Sequence, residues 1–265
     1  MEVFMGKRIF VGPLKWAALL VLPLLVLGVF SQAKSEDFKA AMVLPGVITD
    51  KSFNQTCYEG AVKAKEKLGI EVAYSEKVPQ PDQAEALADY ARRGYNLVIG
   101  VGGEFQDAVD RVAKRYPDTM FMVVNGTTPT KNVAVVRFHY EALAYVLGYI
   151  GGKMTKTDTG ALIGGQQMLL GYENGFKAAD PKSKVLVAWT NDWDDIAKGK
   201  EAALTVISQG ADMVFPTMDN AIVGSFQAVK EQGKHAFGIY YDTYPDWPDI
   251  ILQSAVMKWD AALLD

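Results

Sequence analysis

Apolar residues come in short dense runs, separated by longer segments in which they recur every three or four positions. The runs "FKAAMVL" (38–44), "IEVAYS" (70–75), "NLVIGV" (96–101), "TMFMVV" (119–124) and "VAVVRF" (133–138) are rich in Val, Ile, Met and aromatic residues. Length and composition predict buried strands. Between them, Phe53 to Leu68, Asp82 to Arg93 and Phe105 to Tyr116 carry helical spacing. Asp82, directly after Pro81, is an expected N-cap, and Pro117 stops the third helix.

The second half repeats the alternation. Helix "EALAYVLGYIGGKM" precedes strand "TGALIGG", helix "GYENGFKAAD", strand "KVLVAWT" and helix "DDIAKGKEAALTVISQG". Strand "DMVFP", helix "NAIVGSFQAVKEQG" and strand "AFGIYY" follow. Strands alternating with helices predict parallel sheets covered on both faces. About nine strands fit two sheets of ordinary width better than one very wide sheet. The expected fold class is therefore α/β, with two lobes. The chain is expected to cross into the second lobe near Phe138–Glu141 and to return through the Pro-rich "TYPDWPD" after Asp242. "IILQSAVMKWDAALLD" then reads as a strand and helix of the first lobe. That division assigns 34–138 and 243–265 to lobe 1, and 139–242 to lobe 2.

The N-terminus departs from this pattern. Lys7 and Arg8 precede the apolar run from Trp16 to Phe30, which ends in "SQA". This three-part pattern predicts a signal peptide over 1–33, cleaved on export to an extracytoplasmic or periplasmic location. The run is shorter than the ~20 residues that span a bilayer and contains Pro23. An uncleaved segment would hold the protein at the membrane. Composition is that of a folded protein: 265 residues, 49% hydrophobic, 22% charged, net charge −4. That charge gives no footprint for nucleic acid. With Cys57 as the one cysteine there is no internal disulfide, and its expected role is a small buried side chain.

Parallel sheets bind ligands beyond the carboxyl ends of their strands. After the first strand comes "TDKSFNQTCYEG", where Asp50 and Asn54 flank the ring of Phe53 at the mouth of a helix. Two readings stand here: polar groups and a ring offered to a ligand, or Asp50 or Ser52 capping the helix while Phe53 packs inward. After "KVLVAWT" comes "NDWDD", with Trp193 between Asp192 and Asp194, either of which would serve as a helix cap. Asp242 follows "AFGIYY". "GVGGEFQD" is neither GxGxxG nor a P-loop and reads as a tight turn; "NGTT" reads as a turn and Asp219 as a cap. Rings from opposite lobes, Phe53 and Trp193, would sandwich a planar ligand, each stack being worth ~1–3 kcal/mol on a nucleobase. His139 and His235 lie in no triad-like or metal-like spacing and there is no DxDxD. No catalysis, metal or cofactor is therefore predicted.

"DKSFNQ" with "EG", then "AKRYPDTMF", "NVAVVRFHYEALAYVLGYIGGKM", "NGF", "DDIAKGKEAA", "QGADMVFPTMDN" and "LQSAVMKW" run in order from Phe38 to Trp259. In this order they resemble the basic membrane protein family of ABC-transporter substrate-binding proteins, related to the purine nucleoside receptor A lipoproteins. The resemblance implies a type I periplasmic-binding fold, with two Rossmann-like lobes joined by a hinge. It implies a purine nucleoside or nucleobase as ligand and a membrane ABC permease as partner. It also implies ligand-binding roles: Phe53 stacking the base, Asp50 and Asn54 bonding its polar groups, and Trp193 as the second-lobe aromatic. Asp242 would be the acid after the last hinge strand, and Lys258 the ribose contact. The chain departs from the family pattern at Tyr240 and Asn125, where acids are expected, in a shorter "GGQQMLLGYENGF", and in lacking a lipid-attachment cysteine. Relatives also run some tens of residues beyond Asp265. A different polar metabolite, a sensory role, or a nucleoside-processing enzyme using Asp50 and Asp242 remain the alternatives.

Overall fold

The dense apolar runs become strands of two all-parallel sheets. The structure, a computed structural model, describes residues 38–164 and 166–264. The first sheet holds β1 (Lys39–Val43), β2 (Glu71–Ser75), β3 (Leu97–Val101), β4 (Met120–Val124) and β5 (Val133–Val136), in the order β2-β1-β3-β4-β5. Met42 of β1 lies opposite Tyr74 of β2 on one side and Ile99 of β3 on the other. Helices α1 (Phe53–Leu68), α2 (Gln83–Arg92) and α3 (Gln106–Ala113) make the crossovers. Asp82 stands at the N-cap of α2 as expected, without a side-chain capping bond.

The second half begins with α4 (Tyr140–Met154) and continues through β6 (Thr159–Gly164), α5 (Gln166–Ala179), β7 (Lys184–Ala188) and α6 (Ile196–Ser208). Then come β8 (Met213–Thr217), α7 (Ile222–Glu231), β9 (His235–Tyr240), β10 (Ile251–Val256) and α8 (Trp259–Leu264). The second sheet runs β10-β9-β8-β6-β7. Every residue of β6 and β8 is buried, as expected for central strands covered on both faces. Pro216 sits in β8 and cannot donate to a ladder. The structure accommodates it because pairing with β9 ends at Val214, before Pro216 is reached.

The path of the last segment differs from the expectation. Strand 251–256 does not return to the first sheet; it pairs in parallel with β9, Ser254 opposite Gly238. The Pro-rich stretch explains this. It folds on itself through Trp247 N–H donating to the Thr243 carbonyl (3.1 Å), and the Trp247 ring packs on Phe226 of α7 (5.6 Å). The chain is thus led back beside β9. Only α8 reaches the first lobe, where the buried Trp259 meets Phe53 of α1 at 6.0 Å and Phe138 at 4.7 Å.

Helices α4 and α5 touch through backbone. Gly148 and Gly152 on α4, and Gly171 and Gly175 on α5, each stand where a Cβ would press into a carbonyl of the opposite helix. Cys57 is fully buried, as expected. The expected signal peptide, 1–33, lies outside the described residues. No helix of the described residues is long and apolar enough to cross a membrane.

Candidate functional site

The carboxyl ends of strands from both sheets surround one cavity of about 860 Å³, a size typical of small-molecule sites. From the first lobe come Phe53 at the start of α1, the Gly102–Glu104 turn after β3, and Asn125 after β4. From the second come Tyr140 opening α4, the 189–194 loop after β7, Asp219 after β8, and Tyr240 ending β9. Three of the lining residues, Asn125 (φ 58°), Asn191 (φ 52°) and Tyr240 (φ 73°), hold left-handed backbone without being glycine. For a bulky residue such as Tyr240 that is a strained conformation, of the kind that clusters at functional sites.

The two rings expected from the sequence share this cavity. Phe53 is 7% exposed, backed by Tyr240 at 5.4 Å. Trp193 is 54% exposed. Its loop is held by internal bonds: Thr190 Oγ1 donates to the Asp192 carbonyl, and Asp192 Oδ1 accepts from the backbone N–H of Asp194 and Asp195. The Trp193 carbonyl also accepts from Ala221 N–H at 3.0 Å. A large apolar ring is thus presented on an ordered loop. The cap of α6 is Asp195, whose side chain accepts from Ala197 and Lys198 N–H, so neither Asp192 nor Asp194 caps the helix.

Asp50 and Asn54 lie behind the wall. Asp50 Oδ1 accepts from Ser52 and Gln55 N–H, and Oδ2 from Asn54 N–H and Asn54 Nδ2 (2.8–3.0 Å). Four bonds fill the four lone-pair positions of a carboxylate, so Asp50 caps α1 and has nothing left for a ligand. Asn54 is fully buried. Its Nδ2 donates to Asp50 and across the lobes to Asp219 Oδ2 (3.1 Å), and its Oδ1 accepts from Gly46 N–H (3.2 Å). With Ser52 Oγ donating to the Met218 carbonyl at 2.9 Å, it ties the lobes together. Asp242 and Lys258 are exposed and do not line the cavity. Because the chain turns back toward β9 after Asp242, that carboxylate accepts from Tyr244 N–H in its own turn instead of facing the cleft.

Sequence reasoning passed over several lining residues. Trp189, 45% exposed, stands just past β7; Glu104, Asn125 and Asp219 sit beyond β3, β4 and β8, where the sequence pattern alone suggests turns or caps. Burial, together with the charges of Asp50, Asp194 and Glu104, pushes the Asp219 carboxyl well above the usual range. Glu104 is exposed as a residue and lines the cavity, and desolvation also raises its carboxyl. A raised carboxyl stabilises the fold fully below its unfolded value, and that contribution is lost as pH rises through the folded value. The ligand-free protein should therefore lose stability as pH rises above the ordinary carboxylate range. Asp219→Asn, which keeps the shape and removes the charge, should raise Tm at pH 8 by ~2 °C or more and flatten that slope. Differential scanning calorimetry at rising pH checks this; an unchanged slope overturns it.

Residues 38–264 match the family model Bmp, described as ABC transporter substrate-binding protein PnrA-like. The chain belongs to the Bmp family. It is 29% identical over 228 residues to "Transcriptional activator protein med" of Bacillus subtilis, covering 84% of this chain and 72% of that protein. It is 31% identical over 206 residues to "ABC transporter nucleoside-binding protein BmpA" of Lactococcus lactis, covering 73% of this chain and 59% of that protein. The fold is that of a solved ABC transporter solute-binding protein from Aeropyrum pernix, with a TM-score of 0.80 at 23% identity, over 85% of this chain and 68% of that one. This Bmp chain thus has the type I periplasmic-binding architecture, two α/β lobes with a five-stranded parallel sheet in each.

Proposed function

We propose that this Bmp protein is the extracytoplasmic substrate-binding component of an ABC importer. In this reading it holds a purine nucleoside or nucleobase between its lobes, without transforming it, and presents it to a membrane permease. The observation that carries the reading is that Phe53 and Trp193, from opposite lobes, face a single cavity. Trp189, Tyr140 and Tyr240 add further rings. The name of the Lactococcus relative, a nucleoside-binding protein, agrees with it.

Mass spectrometry of small molecules released from freshly purified, denatured protein should find a purine. Trp193→Ala should weaken adenosine or inosine binding about tenfold or more, from the ~1–3 kcal/mol of a base stack. The ring is mostly exposed, so Tm should stay within ~2 °C of the wild type. Unchanged affinity by calorimetry would remove Trp193 from the site. Free base accumulating over many turnovers would replace the receptor with an enzyme.

A second reading is sensing, with ligand occupancy passed to a partner. The name of the Bacillus relative, a transcriptional activator protein, favours it. Growth on the released ligand as sole purine source, in a strain deleted for this protein, separates the two: an importer is required, a sensor only changes expression.

A further inference from the structure

The charge of the cavity is one-sided. Among the described residues that line it are Glu104, Asp192, Asp194 and Asp219, with no Lys, Arg or His. Asp192 is neutralised by Lys198 (2.9 Å). Asp219 takes one amide bond, from Asn54, and Glu104 and Asp194 have no ion-pair partner in the described residues. A separate observation points the same way. Asn125 donates its Nδ2 to Tyr140 Oη (2.8 Å), while its Oδ1 is buried with no hydrogen-bond partner. A buried acceptor without a donor is unfavourable, and here it lies within the cavity wall. What faces the ligand space is therefore aromatic rings and the carboxyl groups of Glu104, Asp194 and Asp219, none of which has an ion-pair partner among the described residues. Rings and carboxylates together favour a cation: Trp is the strongest cation–π partner, and an opposite charge satisfies acids that otherwise repel one another.

We propose that this cleft recognises a planar aromatic ligand through a cationic or amino nitrogen group and excludes anionic ligands. This rests on the reading that the cleft takes a planar guest, but not on that guest being a purine. Among purine compounds it predicts that aminopurine nucleosides enter and their phosphates do not.

Benzamidine, benzamide and benzoate share one flat shape and differ in charge, so calorimetry with the three isolates the charge effect. Benzamidine should bind at least tenfold more tightly than benzamide, and benzoate more weakly than either. The Glu104→Gln, Asp194→Asn double variant should bring benzamidine and benzamide within about threefold of each other. Benzoate binding as well as benzamidine, no binding of either included, overturns the proposal, as does a double variant that keeps the full preference. Adenosine and AMP are measured alongside. If benzamidine is preferred but neither purine binds, the purine reading falls and the charge selection stands. If adenosine binds and AMP binds equally well, the charge selection falls and the purine reading stands.

Discussion

Gly148→Leu should abolish the folded state of the second lobe, and the protein should be recovered aggregated or without a cooperative unfolding transition. At Gly148 a Cβ would sit against the carbonyl oxygen of Tyr172, with Phe176 N 3.0 Å away. Both belong to α5, and helix backbone cannot yield as a flexible side chain does. The neighbouring Gly152, Gly171 and Gly175 hold the same close approach along the two helices, so α4 cannot tilt away at one point without losing the others. The helix pair also covers β6, and separating it would expose the buried rings of Tyr172 and Phe176. The expected cost is at least ~4 kcal/mol, in the range reserved for disrupted cores. Val146→Ala on the exposed side of the same helix should change stability by less than ~0.5 kcal/mol. Circular dichroism with thermal melts of both variants checks the contrast. A soluble Gly148→Leu protein melting near the wild type would mean that the helices do not touch as described.

Much of the fold was legible because parallel strands are covered on both faces. "LVIGV" is apolar throughout and "TGALIG" is apolar after its opening Thr159, whereas a half-exposed strand would alternate. Periodicity says that 251–256 is a strand but not which sheet receives it. That depended on how the Trp247 turn packs, a contact between residues distant in sequence. The same limit governs the site. An aromatic ring just past a strand end can be read as facing a cleft, and Phe53 and Trp193 do so. Trp189 occupies an equivalent position and could have been found by the same rule; Glu104 and Asp219 could have been found as polar groups beyond the carboxyl ends of parallel strands. Asp50 and Asn54 have the composition of ligand contacts, but their bonding capacity is spent on the α1 cap and the interlobe tie. Composition shows which groups a residue carries and not whether a backbone N–H has already taken them.

Phe53 joins fold and site, and its two roles can be separated. Phe53→Ala should destabilise the protein by ~3–5 kcal/mol, the usual range for an aromatic removed from a core. The ring is 7% exposed and wedged between Tyr240 and Trp259, so its loss opens a void under both lobes. Part of that void faces the cavity, and water entering there would lower the cost toward the bottom of the range. Ligand affinity should fall about tenfold or more as the stacking face disappears. A fall in affinity alone would not distinguish lost stacking from a loosened cleft. Phe53→Leu resolves this, because Leu keeps much of the apolar volume and removes the π-face. Its stability cost should be below ~1.5 kcal/mol, yet affinity for a purine or for benzamidine should fall nearly as far as in Phe53→Ala. Denaturant melts paired with calorimetry measure both quantities. If Phe53→Leu binds as tightly as the wild type, the ring serves the core alone, and recognition passes to Trp193 and Trp189.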